Sequence, residues 1–198
     1  MDVLAISLFS LLSISKAEIS TKIGVNYGRV GNNLPSPAQS IELLTTMKAG
    51  RVKLYDANPE ILNLLSETKF EVSVMVHNSE ISSIASNQSI SDEWVRQNVL
   101  PYYPKTLIRF LPVGNEVLSD YSVQGQKIWL HLVPAVRRIK RSLISQSSTN
   151  INVSTSLAMD VLETTFPLSS GAFRSGIRDT VVKTKRKQWE RRKKDLPA

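Results

Sequence analysis

The sequence, 198 residues long, predicts an α/β protein built on a parallel β-sheet. Short apolar segments alternate with segments whose apolar residues recur at helical spacing, the pattern of βα units joined by right-handed crossovers. One apolar run ends abruptly in Gly114, Asn115 and Glu116. A run of this kind is typical of a strand buried on both faces. At this level the pattern fits both an open doubly wound sheet and part of a barrel.

Five strands are predicted, over residues 22–27, 51–55, 70–76, 107–115 and 150–154. Ser36 followed by Pro37 predicts the start of a helix, with Ser as N-cap and Pro in the first turn, and Gly50 predicts its end. A long helix is predicted over 124–142. Asp92 and Glu93 are interpreted as the first turn of a further helix, where acidic side chains favour the helix N-terminus.

The formal charge of +8 is concentrated near the C-terminus, because residues 183–195 hold eight basic and two acidic side chains. The remaining chain is nearly neutral, so the charge indicates nothing about a substrate. Residues 180–198 have no apolar face beyond Trp189 and are predicted to form a basic, disordered tail. The alternative is a nuclear-localisation or nucleic-acid arm. Cysteine is absent, which excludes disulfides and thiolate metal sites.

The N-terminus predicts a secretory signal peptide over residues 1–17. Residues 3–14 are almost wholly apolar or Ser, and Ser15-Lys16-Ala17 offers small residues at a cleavage site. The run is shorter than the ~20 residues that a bilayer-spanning helix needs. A buried N-terminal helix is the alternative. Secretion also argues against nuclear import of the tail.

The predicted strands end in polar and aromatic residues that meet at one edge of a parallel sheet, among them Tyr27, Tyr55, Asn115 and Glu116. Such a lining suits sugars, whose rings stack on aromatic side chains and whose hydroxyls bond amides. Glu116 is the candidate catalytic acid; the alternative is a carboxylate that only favours a helix start. Tyr27 and Tyr55 line the cleft or pack inside a barrel. His, Asp and Glu are too dispersed to predict a metal site.

Several blocks resemble the plant β-1,3-glucanases of glycoside hydrolase family 17. They are Ile23-Gly-Val-Asn-Tyr-Gly28, Val52-Lys-Leu-Tyr-Asp-Ala-Asn58, Val113-Gly-Asn-Glu-Val117, Val153-Ser-Thr155 and Phe166-Pro-Leu-Ser-Ser-Gly-Ala-Phe173. The resemblance covers about residues 23–178. It implies a partial (β/α)8 TIM barrel, consisting of about the first five βα units. The implied domains are a signal peptide over 1–17, the N-terminal part of the catalytic domain over 18–179, and a non-homologous tail over 180–198.

The resemblance also implies a function, the endo-hydrolysis of 1,3-β-glucan with retention at the anomeric carbon. By this matching Glu116 is the proton donor, and Tyr27, Tyr55 and Asn115 are substrate-binding residues. No cofactor or metal is implied, and neither a nucleic-acid partner nor a stable membrane anchor is expected. The implied protein is a monomer that is secreted to the extracellular space or cell wall.

One part of the family pattern is missing. The family's nucleophile is a second Glu in a Ser-Glu-Thr-Gly-Trp-Pro block, and this sequence contains no Gly-Trp pair. Glu163-Thr-Thr is the nearest look-alike, in the wrong surroundings. The sequence therefore predicts a truncated product, inactive alone. The alternatives are a non-catalytic glucan-binding relic and a gene-model fragment.

Two Asn-x-Ser patterns are acceptors for N-glycosylation. Asn87 lies in a polar loop and is predicted to be accessible. Asn152 lies in a predicted strand and is expected to be inaccessible after folding.

Overall fold

The computed structural model describes residues 23–183, so the predicted signal peptide and residues 184–198 lie outside the described part. The strands and helices are β1 Gly24–Tyr27, α1 Pro37–Thr46, β2 Arg51–Leu54, α2 Pro59–Leu64, β3 Glu71–Ser73, α3 Ile81–Ser86, α4 Gln88–Asn98, β4 Ile108–Asn115, α5 Val123–Ser145, β5 Asn152–Ser156, β6 Leu162–Thr164 and β7 Ala172–Phe173. As far as β5, one or two helices separate each strand from the next along the chain. The five predicted strands and the α/β class are confirmed.

The first five strands form one parallel sheet in the order β1-β2-β3-β4-β5, each paired with the next. A doubly wound sheet reverses its strand order at a switch point, whereas a barrel keeps the order of the sequence. The sequential order therefore favours part of a barrel.

The two faces of the sheet differ in polarity. Val52, Leu54 and Val72 are buried on one face and belong to the core that the helices share. The opposite face carries an ion pair between Arg51 Nε and Glu71 Oε2, 2.9 Å apart. In β4, residue 108 and residues 111–114 are buried, whereas residues 109, 110 and 115 are half-buried. The prediction of a strand buried on both faces is therefore right only for the C-terminal half of β4.

Helix α1 begins as predicted. Ser36 Oγ accepts from the backbone N–H of Gln39, and Gln39 Oε1 accepts from the N–H of Ser36, which completes a capping box around Pro37. The predicted end at Gly50 is wrong. The helix stops at Thr46, and Gly50 instead donates its N–H to the carbonyl of Ile23 at 2.8 Å, because the chain is already entering the sheet.

Helix α4 begins earlier than the sequence predicts. Asn87 is its N-cap and accepts from the N–H of Ser89 at 2.9 Å, so Asp92 lies inside the helix and the first-turn interpretation is wrong. Asp92 instead belongs to a polar cluster between α4 and α5. Its Oδ1 accepts from the Ser142 hydroxyl at 2.6 Å and from Gln88 Nε2 at 3.0 Å. These hydrogen bonds, Ser142 first, lower the pKa of Asp92 below its ordinary value.

Replacing Asp92 by asparagine is expected to lower the free energy of unfolding at pH 7 by about 1 kcal/mol. A hydrogen bond to a charged acceptor stabilises a folded protein more than a bond to a neutral acceptor, by about that amount. A depressed folded-state pKa stabilises the protein above the unfolded value of about 3.9, and this contribution is lost as the pH falls through the folded pKa. Urea unfolding should therefore show a difference from wild type that shrinks from pH 7 to pH 3. Glu42→Gln, at an exposed site on α1, is the control. A difference independent of pH would contradict this origin.

The C-terminal part of the described chain departs from the predictions. Residues 175–183 are helical, and Ile177 and Val181 are buried in the core. The domain boundary predicted after residue 179 therefore falls inside a helix. Ile177 and Val181 are four residues apart, so they share the face of this helix that packs on the core. The antiparallel hairpin β6–β7 was not predicted either, since strands of three and two residues are too short to show alternation.

Asn152 is exposed, so its predicted inaccessibility is wrong. Within residues 23–183, β5 is an outer strand of the sheet and pairs only with β4.

Among the helices of residues 23–183, none has the length and apolar character needed to cross a bilayer.

Candidate active site

The chain turns sharply where β4 ends. Gly114 has φ +74°, and Glu116 has φ 51° and ψ 32°, so two of three consecutive residues are left-handed. For Glu116 this conformation is uncommon, and such strain concentrates at functional sites. The Glu116 side chain is exposed and caps neither the following 3₁₀ turn, Val117–Ser119, nor a helix. The carboxylate is thus held at the lip of the sheet without a capping role.

Asn115 is fixed from both sides. Asn78 Oδ1 accepts from the backbone N–H of Asn115 at 2.7 Å, and Asn78 Nδ2 donates to the Asn115 carbonyl at 3.0 Å. Lys53 Nζ donates to Asn115 Oδ1 at 3.0 Å. Because Oδ1 is engaged by the ammonium group, the amide Nδ2 is oriented as the remaining side-chain donor.

Tyr27 and Tyr55 line one cavity of about 470 Å³. Tyr55 is 38% exposed, and Lys53 Nζ lies 4.8 Å from the centroid of its ring, so Lys53 connects this ring to Asn115. Tyr27 is half-buried, and its hydroxyl is buried without a hydrogen-bond partner in residues 23–183. The structure therefore places Tyr27 with Tyr55 and links Tyr55 to Asn115, which precedes Glu116.

Glu163, the look-alike of the family's nucleophile, lies elsewhere. It is exposed on β6 and lines a different cavity, of about 580 Å³, with Tyr121, Trp129 and Arg174. No three His, Asp or Glu side chains in the described range come close enough to hold a metal ion.

The sequence reasoning missed the role of two residues in this site, Lys53 and Asn78. The signal for Lys53 was the charged pair at positions 51 and 53, which alternates with buried Val52 and Leu54. Period-two alternation marks the polar face of a sheet. For Asn78, no sequence signal shows that its amide reaches a backbone 37 residues away.

A sequentially ordered parallel sheet with an exposed carboxylate after its fourth strand is the arrangement found in barrel enzymes, whose active sites lie at the C-terminal face. The family described as Glycosyl hydrolases family 17 matches residues 23–193. The chain belongs to this family, which confirms the resemblance. The matched region continues beyond residue 178, where the recognised motifs end.

The chain is 53% identical over 165 residues to "Probable glucan endo-1,3-beta-glucosidase A6" of Arabidopsis thaliana, covering 83% of this chain and 34% of that protein. It is 35% identical over 182 residues to "Glucan endo-1,3-beta-glucosidase" of Pisum sativum, covering 86% and 48%. Among solved structures it is similar to "CJP38, a beta-1,3-glucanase and allergen of Cryptomeria japonica pollen", with a TM-score of 0.80, 34% identity, and coverage of 85% and 52%. The chain spans about a third to a half of the length of these curated relatives.

Proposed function

We propose that this chain is the acid-bearing N-terminal part of a retaining endo-hydrolase of 1,3-β-glucan, with Glu116 as proton donor. The observation that carries the proposal is the exposed carboxylate of Glu116 at the end of β4, where the backbone is left-handed. Glu116 directly follows Asn115, which Lys53 and Asn78 hold by hydrogen bonds. The names of the glucanases to which the chain is similar support the substrate class.

The geometry suits the acid/base role in a retaining mechanism. Glu116 protonates the glycosidic oxygen and later deprotonates the attacking water. Asn115 Nδ2 donates to a sugar hydroxyl, the kind of contact that strengthens in the transition state. Tyr55 offers part of its ring face to a glucosyl unit, and Tyr27 contributes to the same cavity.

The reaction also needs a nucleophile. A second carboxylate must lie about 5–5.5 Å from the first in a retaining glycosidase. The sequence contains no Gly-Trp pair to mark the family's nucleophile block, so we propose that this chain alone does not complete the pair. Its own activity is then that of a glucan-binding part of the enzyme.

We further propose that the protein is secreted to the extracellular space or cell wall and acts as a monomer without a cofactor. The apolar segment 3–14 supports secretion. Asn87 is exposed and caps α4 through Oδ1, which leaves Nδ2 for an N-linked glycan.

Laminaripentaose is expected to bind the 198-residue chain in isothermal titration calorimetry, and cellopentaose is expected to bind more weakly. Lys53→Met should weaken laminaripentaose binding about tenfold, the equivalent of one hydrogen bond, because the Asn115 amide and the Tyr55 ring lose their shared partner. Lys69→Met, at an exposed site before β3, is the matched control. A folded chain that binds neither oligosaccharide would refute the proposal.

A laminarin hydrolysis assay distinguishes a chain that only binds glucan from a chain that also hydrolyses it. Binding without turnover would support a non-catalytic glucan-binding part. Turnover that Glu116→Gln abolishes would show instead that another carboxylate of the chain acts as nucleophile.

A further inference from the structure

The backbone turn that follows Glu116 is held by side chains from two distant parts of the chain. Trp129 Nε1, on α5, donates to the carbonyl of Val117 at 2.7 Å. Arg174 Nη2 donates to the carbonyl of Leu118 at 3.1 Å. The two carbonyls that directly follow the left-handed Glu116 are therefore both engaged by side chains from outside the turn.

A second set of contacts fixes these two side chains. The Arg174 guanidinium lies 4.6 Å from the centroid of the Tyr121 ring, and this ring packs edge-on against Trp129 with centroids 5.7 Å apart. The hydroxyls of Ser119 and Tyr121 both donate to Asp160, at 2.6 and 3.2 Å. The contacts form a closed network around the turn, so each member restricts the others.

The hairpin β6–β7 brings Arg174 to this network. Arg174 follows β7 directly, and its backbone N–H donates to the carbonyl of Val161 at 3.0 Å, next to Asp160. The hairpin adds no strand to the five-stranded sheet, yet it supplies a hydrogen bond to the turn after Glu116.

We propose that Arg174 and Trp129 are positioning residues for Glu116, which act by holding the turn Val117–Ser119. A left-handed glutamate has a higher backbone energy than the right-handed alternative, and it persists only where neighbouring structure determines it. The two hydrogen bonds and the ring contacts provide this restraint. The inference deepens the proposed function and rests on Glu116 as proton donor, but the conformation of Glu116 can be measured without a sugar.

The test uses the isotopically labelled 198-residue chain, with Arg174→Met and Trp129→Phe as variants. Backbone 15N and 13Cα chemical shifts of Glu116 report its φ and ψ, and calorimetry reports laminaripentaose affinity. Arg178→Met, at an exposed site on the helical segment that follows Arg174, is the matched control. Thermal unfolding identifies any variant that does not fold.

Both positioning variants are expected to shift or split the Glu116 signals and to weaken laminaripentaose binding about tenfold. Arg174→Lys keeps a donor, so its Glu116 chemical shifts and its laminaripentaose affinity should stay close to those of the wild type. Unchanged Glu116 signals in the folded variants, or equal changes in Arg178→Met, would overturn the proposal. If Trp129→Phe does not fold, the comparison of Arg174→Met with Arg174→Lys decides. Absence of binding by the wild-type chain would refute the proposed function, and the Glu116 shifts would still decide the positioning role.

Discussion

Glu116→Gln is expected to slow laminarin hydrolysis about 10²–10⁴-fold in a chimaera that joins residues 23–183 to the C-terminal half of the Pisum sativum glucanase. Glutamine keeps the size of the side chain but cannot donate the proton to the glycosidic oxygen, and general acid catalysis contributes a factor of this order. Release of reducing ends measures the rate.

Glu67→Gln is the matched control for this variant. Glu67 is also exposed and left-handed, with φ 58°, but it lies before β3, at the opposite ends of the strands. Its replacement should leave the rate within about twofold of the unsubstituted chimaera, since chemistry in a barrel is confined to the C-terminal face. Comparable rates for both variants would remove Glu116 from the acid role.

Gly114→Ala is expected to lower the free energy of unfolding by about 2–5 kcal/mol, from a left-handed backbone penalty of about 1–2 kcal/mol and overpacking of about 1–3 kcal/mol. A Cβ at this position would lie 2.4 Å from Val117 Cγ2 and 2.7 Å from Ile81 Cδ1, and φ is +74°. Chemical denaturation of the 198-residue chain measures the change. Laminaripentaose affinity should fall as well, because the same clash displaces Asn115 and Glu116.

Gly176→Ala is the control for backbone effects of alanine. Nothing lies within 4 Å of a Cβ at Gly176, which is in a helical segment, so its replacement should be neutral or stabilising by up to about 1 kcal/mol. A Gly114→Ala variant as stable as wild type would show that the turn after β4 relaxes at little cost, against the restraint inferred for Glu116.

Local rules in the sequence predicted much of the fold because they act within a few residues. Ser36, Pro37 and Gln39 specify the start of α1 through bonds that span three positions. Where a distant partner competes, the same rules fail. Gly50 donates its N–H to the carbonyl of Ile23 in the sheet and does not end α1. Asp92 accepts a hydrogen bond from Ser142 on another helix and does not lie in the first turn of α4.

The candidate site shows the same division. Glu116 and Asn115 were predicted as site residues, because they follow an apolar run and because the block Val113–Val117 resembles the family's. Their restraint was not predicted. Lys53 and Asn78 reach Asn115 from 62 and 37 residues away along the chain, because neighbouring strands of the sheet end side by side.

By itself the sequence determined the α/β class, the alternation of strands and helices, and the family, and it predicted Glu116 as the candidate acid. Apolar periodicity and short motifs are properties of adjacent residues, so they can be read without coordinates. Only the tertiary structure decided the strand order that favours a barrel, the shared cavity of Tyr27 and Tyr55, and the contacts of Arg174 and Trp129 around the turn after Glu116. These features join segments far apart in the chain, and packing, which no local pattern encodes, brings them together.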